Sequence, residues 1–229
     1  QGGPFASTED LALRARLNQQ DMQVLAAADA LASLSGHRRQ QMWDASAQHA
    51  APILLRDVPV NEAPLQLPEA PEGEEILFDY AATGLTLRRH PLALLRGRLE
   101  RWRLLTALQL RNVPDGRLVR ACGIVTVRQR PGSAKGTMFV TLEDETGPVN
   151  VIVWPAMVEQ WRDAILRSRL LAVQGLWQCS RHGEDEEKGA AAGPGEAFVV
   201  RHLVAQRFKD LTPLLGRMAG ALDGSRDFH

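Results

Sequence analysis

A basic loop between two predicted strands carries the residue types best suited to bind a polyanion. Residues 127–154 read VRQRPGSAKGTMFVTLEDETGPVNVIVW, and Arg128, Arg130 and Lys135 lie on or beside the turn at the start of this stretch. Guanidinium and ammonium groups along such a loop can follow the phosphates of a nucleic acid strand. No obvious structural need explains three cations here, so the pattern predicts a phosphate-binding rim.

Aromatic and amide side chains follow the loop at positions that a strand would turn outward. Phe139 offers a ring for base stacking, Asn150 offers a donor and an acceptor to a base edge, and Trp154 could extend the stacking surface. Arg120, on the preceding strand, is a further candidate contact. Two alternatives stay open: Phe139 packs beneath a neighbouring domain, and Trp154 anchors the helix that follows it.

Catalytic and metal-binding patterns are scarce. Glu143, Asp144 and Glu145 form a tight acidic cluster, but they end a strand and precede Thr-Gly, where acids commonly form turns. A metal-dependent reaction would need carboxylates that converge from separate elements. The six histidines, together with Cys122 and Cys179, show no metal-ligand spacing, and no Gly-rich phosphate loop is present. The sequence therefore predicts no catalytic residue, no metal ligand and no cofactor in this segment.

From about residue 113 the hydrophobic pattern has a period of two. In the first strand, one face is predicted to hold Val119, Ala121, Val125 and Val127. The opposite face is predicted to hold Arg120, Cys122, Ile124, Thr126 and Arg128. The next two strands bury alternate positions, predicted as Met138, Val140, Leu142, Val149, Val151 and Val153.

A helix that begins at Pro155 and two more strands, RLLAVQGLWQ and AFVVRHLVAQRF, complete this half of the chain. Three strands, a helix and two strands are the order of an OB-fold, a five-stranded Greek-key barrel. Such a barrel binds nucleic acid on the face of strands 2 and 3. Between the last two strands lies CSRHGEDEEKGAAAGPGE, an acidic insertion that we expect to be a surface loop.

The first fifty residues have a helical pattern. Ser7 precedes two acids suited to the first turn of a helix, and Asn18 can cap a second helix. After a turn near Gly36, His37, Arg38 and Arg39 begin another helix. Two short helices around a tight turn can present backbone N–H groups to a phosphate, although most such pairs are only packing units.

A connecting region is marked by proline and by an uneven charge distribution. Residues 51–75 contain five prolines, and residues 51–83 hold one Arg against seven acids. Residues 84–112 hold seven Arg against one acid, beside an apolar stripe of Leu92, Leu95, Leu99 and Trp102. This asymmetry indicates either a polyanion or acidic surface that meets the second part of the chain, or only a solvated helix face.

Length and composition are those of an ordinary globular protein. The 229 residues contain no run of apolar residues long enough to span a membrane, and QGGPFASTED has neither a signal pattern nor an initiating Met. We expect a cytoplasmic chain that is either the interior of a longer chain or a processed fragment. The predicted parts are a helix-hairpin-helix segment at 1–50, a connector at 51–112, an OB-fold domain at 113–210 and a tail at 211–229.

Four sequence blocks carry a family resemblance. They are LAAADALASLSGHRRQQMWD, DYAATGLTLRRHPLALLR, ACGIVTVRQRPGSAKGTMFVTLEDETGPVNVIVWP and the closing SRDFH. In this order they resemble the C-terminal region of bacterial C-family DNA polymerases, closest to the error-prone, damage-tolerance branch of the replicative alpha subunit. Residues 179–196 are acidic, which is unlike a loop that binds phosphate, because negative charge repels phosphate.

The resemblance implies a tandem helix-hairpin-helix element and an OB domain that contacts single-stranded template. The catalytic aspartates, with their Mg²⁺ ions, would lie in an absent polymerase core, so no catalytic residue is assigned here. A Y-family-like polymerase and the sliding clamp are the implied partners.

The sequence therefore predicts an α+β chain that binds DNA, mainly single-stranded template, during translesion synthesis and repair. His37, Arg38 and Arg39 would contact duplex backbone. The alternatives are an OB-fold module that docks protein partners of a repair complex and a free-standing enzyme.

Overall fold

The chain folds into two compact units, Gln1–Arg88 and Arg89–His229. The computed structural model describes residues 3–47, 65–182, 198–221 and 226–228. This division differs from the single connector expected at 51–112, because the helices of that region each bury side chains in a unit of their own. Ile76 is buried in the first unit, and Leu92 and Leu99 are buried in the second. Residues 51–64 of the predicted connector lie outside the described residues.

The first unit is helical throughout its described part. Its helices are α1 (Thr8–Ala15), α2 (Gln19–Ala27), α3 (Ala32–Ser35), α4 (Arg38–Ala47) and α5 (Glu72–Thr83). The predicted caps are present: Ser7 accepts a hydrogen bond from the amide of Asp10, and Asn18 forms a capping box with Asp21. The helices pack through α2, whose Met22 and Ala26 are fully buried with Leu31 and Ala45.

The second unit combines helices with a barrel. Its helices are α6 (Pro91–Arg101), α7 (Ala107–Arg111), α8 (Pro155–Gln160), α9 (Arg162–Arg167) and α10 (Met218–Ala221). Its strands are β1 (Leu118–Gln129), β2 (Met138–Asp144), β3 (Gly147–Val153), β4 (Leu170–His182), β5 (Phe198–Asp210) and β6 (Arg226–Phe228). No helix in the described ranges is long and apolar enough to cross a membrane.

Strands β1 to β5 close into the five-stranded barrel that the sequence predicts. The order is β2–β3–β5–β4–β1, and β1 also pairs with β2. Helices α8 and α9 lie between β3 and β4 in sequence, as in an OB-fold. The chain is therefore of the α+β class with an OB-fold barrel. Strand β6 pairs in parallel with the end of β1, so residues 226–228 of the predicted tail extend the sheet.

Strand β1 serves two neighbours because it contains a bulge. Leu118–Ile124 pair with β4, whereas Ile124–Gln129 pair with β2, and the register of the second pairing shifts between Val125 and Val127. A β-bulge adds one residue to a strand and bends it. Beyond the bulge the inward and outward positions of β1 are exchanged relative to simple alternation.

Apolar cores lie on both sides of β1. The barrel interior holds the predicted residues of β2 and β3, all of them buried: Met138, Val140, Leu142, Val149, Val151 and Val153. On the outer side, Cys122 and Ile124 of β1 are buried against Leu92 and Leu99 of α6. The outward face of β1 is thus covered by α6 at this end of the strand.

An ion pair ties α6 to the hairpin between β2 and β3. Arg96 donates from Nε to Glu145 and from Nη2 to the second carboxylate oxygen of Glu145 at 2.8 Å. Its Nη1 donates to the carbonyl of Leu104 at 3.2 Å. Burial by itself raises the pKa of Glu145, but the hydrogen bond and charge of Arg96 outweigh it and hold that pKa below its ordinary value.

This pair predicts acid sensitivity. Because the pKa of Glu145 is lowered in the folded state, its contribution to stability is present above the ordinary value of 4.5 and is lost as the pH falls below it. In urea unfolding across this range, we expect Glu145→Gln to be destabilised at neutral pH and to lose less stability on acidification than the parent chain. Glu143→Gln, an exposed neighbour, is the control. Equal acid sensitivity in parent and Glu145→Gln would contradict the assignment.

Candidate nucleic-acid interface

An outward-facing aromatic lies on the face formed by β2 and β3, near the end that adjoins the loop from β1 to β2. Phe139 is 39% exposed and is paired with Ile152 of β3 on one side and with Gln129 of β1 on the other. Two residues further along β2, Thr141 is paired with Asn150, and their side-chain oxygens are 3.4 Å apart. The face is therefore a shallow surface of one ring flanked by amide and aliphatic groups. We call Gln129, Phe139, Thr141, Asn150 and Ile152 the Phe139 face.

The loop from β1 to β2 brings exposed cations to one end of this face. Arg130 and Lys135 are both exposed, on either side of a 3₁₀ turn at Gly132–Ala134. Lys135 has φ 49°, a left-handed conformation that closes the turn before β2 begins. The amide of Thr137 bonds the carbonyl of Ala134 at 2.9 Å, which fixes the end of the loop.

Asn150 and Trp154 lie at positions compatible with their predicted roles. Asn150 is exposed in β3. Trp154 is 53% exposed and precedes α8, where its carbonyl accepts hydrogen bonds from Met157 and Val158. Its backbone thus begins the helix while its ring stays largely in solvent. Contact of either residue with nucleic acid stays a prediction.

Arg128 does not belong to the predicted rim. Its side chain is buried, donating from Nε to the carbonyl of Ile165 at 2.8 Å and from Nη2 to the carbonyl of Ser168 at 2.5 Å. The prediction of a phosphate contact is wrong because the bulge in β1 turns this position inward. A guanidinium at the end of α9 instead satisfies carbonyls that the helix leaves unpaired.

Arg120 is exposed, but it lies on a different wall of the barrel. It precedes the bulge and is paired with Gln174 of β4, and β4 borders neither β2 nor β3. Arg120 therefore does not share a surface with Phe139, and its contact with nucleic acid stays a prediction. Arg120 lines a separate groove with residues of β4 and β5.

The helical unit uses its predicted cations in internal contacts. Arg38 is 3% exposed and forms an ion pair with Asp79, so the prediction that it contacts duplex backbone is wrong. Although burial raises the pKa of Asp79, hydrogen bonds from Arg38, Thr86 and Arg88 hold that pKa below its ordinary value. The charge of Arg38 is thus neutralised within the fold.

His37 and Arg39, the sequence neighbours of Arg38, are more exposed than Arg38. His37 lies 2.8 Å from the carbonyl of Leu67 through Nε2, and its Nδ1 accepts from the amide of Gln40. Arg39 is partly exposed and pairs with Glu74 at 2.6 Å. A partly exposed pair of this kind is weak, so a phosphate could compete for Arg39. The helix-hairpin-helix role stays a prediction.

The acidic cluster is part of the fold. Asp144 is buried and accepts from the amides of Ala107, Thr146 and Gly147, while Glu145 pairs with Arg96. Within the described residues, no three of His, Cys, Asp or Glu are placed to hold a metal ion. Burial raises the pKa of Cys122 to about 12, so its thiol stays protonated and is a poor nucleophile.

Arg128 and Arg130, two positions apart in the sequence, provide a test of the assignment of Arg128 to the interior. We expect Arg128→Met to lower the free energy of unfolding by about 2–4 kcal/mol, because two buried carbonyls lose a charged donor. Arg130→Met, at an exposed position, should change it by no more than about 0.5 kcal/mol. Urea unfolding of both variants makes the comparison, and equal losses would refute it.

Comparison with known proteins agrees with this geometry. Residues 119–202 match the model of an OB-fold nucleic acid binding domain. Over 99% of its length the chain is 53% identical to the error-prone DNA polymerase of Ralstonia nicotianae, 49% to that of Burkholderia pseudomallei and 46% to that of Alkalilimnicola ehrlichii. It spans only about a fifth (19–20%) of the length of these relatives. The predicted resemblance is confirmed: nearly the whole chain is similar to one segment of error-prone DNA polymerases.

Proposed function

We propose that this chain is a non-catalytic segment of an error-prone DNA polymerase that holds single-stranded template DNA on the Phe139 face of its OB barrel. Bases would stack on Phe139, and the phosphates would pass Arg130 and Lys135 at the edge of the face. The proposal depends on one observation above all: an exposed ring on β2, next to a loop with two exposed cations.

The chemistry of the face favours an unpaired strand. A base can stack on an aromatic ring only where it is free of its own partner, and such stacking contributes about 1–3 kcal/mol per base. Thr141 and Asn150 offer hydrogen bonds beside the ring. Gln129, Thr141, Asn150 and Ile152, the other members of the Phe139 face, are uncharged, so contacts with the backbone phosphates would come from the cations of the loop.

The relatives support a role within a longer polymerase. They are error-prone DNA polymerases about five times longer than this chain, so the chemical step is assigned to parts of such a protein outside this segment. Mg²⁺ would act in that core. The same proposal places the segment at the C-terminal end of such a polymerase, which would act in translesion synthesis during DNA repair. Its partners would be a Y-family-like polymerase and the sliding clamp.

A protein-docking role has one observation in its favour. The helical unit contains an apolar groove of about 780 Å³, and the exposed rings of Trp43 and Phe78 lie along it with Met42. Exposed apolar surface of this kind is typical of interaction sites. The acidic insertion assigned to docking from the sequence lies outside the described residues from 183 onward. Association that survives nuclease treatment would favour this alternative.

Substitution of Phe139 tests the proposal. We expect Phe139→Ala to weaken binding of a fluorescently labelled single-stranded oligonucleotide by about 5- to 150-fold, the equivalent of about 1–3 kcal/mol of lost stacking. Phe139→Tyr should retain most of the affinity because the ring remains. Lys135→Ala should reduce the dependence of affinity on salt, because one phosphate contact is lost. Fluorescence anisotropy over a range of salt concentrations measures all three.

Leu118→Ala is the matched control, since Leu118 is an exposed apolar residue on the half of β1 that pairs with β4. It should leave the affinity unchanged. Binding that is unaffected in Phe139→Ala combined with Lys135→Ala would show that the DNA is held elsewhere.

A further inference from the structure

A second basic surface lies on the wall of the barrel that does not include the Phe139 face. It is a groove of about 570 Å³ between the end of α6 and the outer side of β1, β4 and β5. Its basic side chains belong to Arg101, Arg103, Arg120, Arg207 and Lys209, and we call it the basic groove. Since β4 borders neither β2 nor β3, the basic groove and the Phe139 face are separate surfaces.

The charge of the basic groove is not neutralised by the residues that line it. None of its lining residues is acidic, and Arg101, Arg103, Arg120 and Arg207 make no side-chain hydrogen bond or ion pair with other described residues. The adjoining acids, Glu100 and Asp210, do not line it. Several unpaired cations around one concave surface create a local positive potential that attracts a polyanion.

Arg103 occupies a backbone conformation that usually belongs to glycine. Its φ is 57°. The amide of Arg103 donates to the carbonyl of Glu100 at 2.8 Å, and the amide of Leu104 donates to the carbonyl of Leu99 at 3.2 Å. These two bonds form a Schellman motif at the end of α6, where Gly is favoured because other residues are strained. They also occupy the carbonyls of Leu99 and Glu100 in the last turn, whose partial negative charge would otherwise oppose an anion. An arginine at this position places a cation at the mouth of the groove.

An aromatic ring completes the groove. Trp102 is 38% exposed, and the cationic groups of Arg98 and Lys209 each lie 5.4 Å from its ring centre. Cations this close to an indole hold the ring in place, and Trp102 lines the groove beside them. Tryptophan between phosphate-binding cations is a combination found where unpaired nucleotides are bound.

We propose that the basic groove binds the phosphates of a single-stranded nucleic acid, as a second contact distinct from the Phe139 face. Arg103, Arg120 and Arg207 contact phosphate oxygens, and Trp102 contacts a sugar or base of the same strand. Nucleic acid is chosen over another polyanion because of the function proposed for the Phe139 face. The groove itself could bind DNA even if that face does not.

The test uses two groove variants and a control with the same backbone geometry. Arg103→Gly removes a cation and relieves the left-handed strain, so its melting temperature should be unchanged or higher; Arg207→Gln removes a second cation. Arg16→Gly is the matched control, because Arg16 has φ 55° and the same pair of hydrogen bonds at the end of α1. Arg16 does not line the basic groove.

The probe is a labelled single-stranded oligonucleotide of about 30 nucleotides, longer than the roughly 4–16 that one OB-fold covers. Each lost phosphate contact should weaken binding by about 5-fold at 0.1 M salt and lower the salt slope by about 0.7. The double variant Arg103→Gly, Arg207→Gln should thus bind the oligonucleotide about 25-fold more weakly than the parent chain, whereas Arg16→Gly should bind like the parent chain.

The outcomes separate this proposal from the one on the Phe139 face. If the groove variants bind normally while Phe139→Ala is weakened, the groove proposal is overturned and the face proposal stands. If the groove variants alone are weakened, the groove proposal stands and the face proposal falls. Polyglutamate serves as a second probe: displacement of the oligonucleotide at equal concentrations of charge would overturn the assignment to nucleic acid.

Discussion

One additional residue in β1 determines how the barrel is built. The bulge between Val125 and Val127 lets a single strand pair with β4 along its first half and with β2 along its second. It also turns Arg128 inward, where the guanidinium donates to the carbonyls of Ile165 and Ser168 at the end of α9. Gln129, an uncharged residue, is left beside Phe139. The geometry of the Phe139 face thus depends on a backbone irregularity in the neighbouring strand.

Much of the barrel could be predicted from the sequence because β2 and β3 are regular. Strict alternation identifies their six buried apolar residues and the exposed positions of Phe139 and Asn150. Alternation fails in β1, since a bulge leaves no mark in composition and reverses every position beyond it. The burial of Arg38 could not be predicted for another reason. Its partner Asp79 lies 41 residues away, and local patterns contain no information about such a pairing.

The spatial arrangement of the charged side chains could not be predicted from the sequence either. Residues 84–112 are strongly basic, a pattern that indicates either a polyanion ligand or a solvated helix face. Arg88 and Arg96 are used in ion pairs within their own units. Arg101 and Arg103, in contrast, line the basic groove with cations from strands that lie up to about a hundred residues further on. Sequence charge identified the segment, but only folding separates structural cations from those available to a ligand.

The most direct measurement of the central claim is a ¹⁵N–¹H NMR titration of the 229-residue chain with a single-stranded oligonucleotide. If template DNA is held on the Phe139 face, the amides of Gln129, Lys135, Phe139 and Ile152 should show large shift changes that saturate together. Shift changes that are absent from these amides, or confined to the helical unit at Gln1–Arg88, would contradict it.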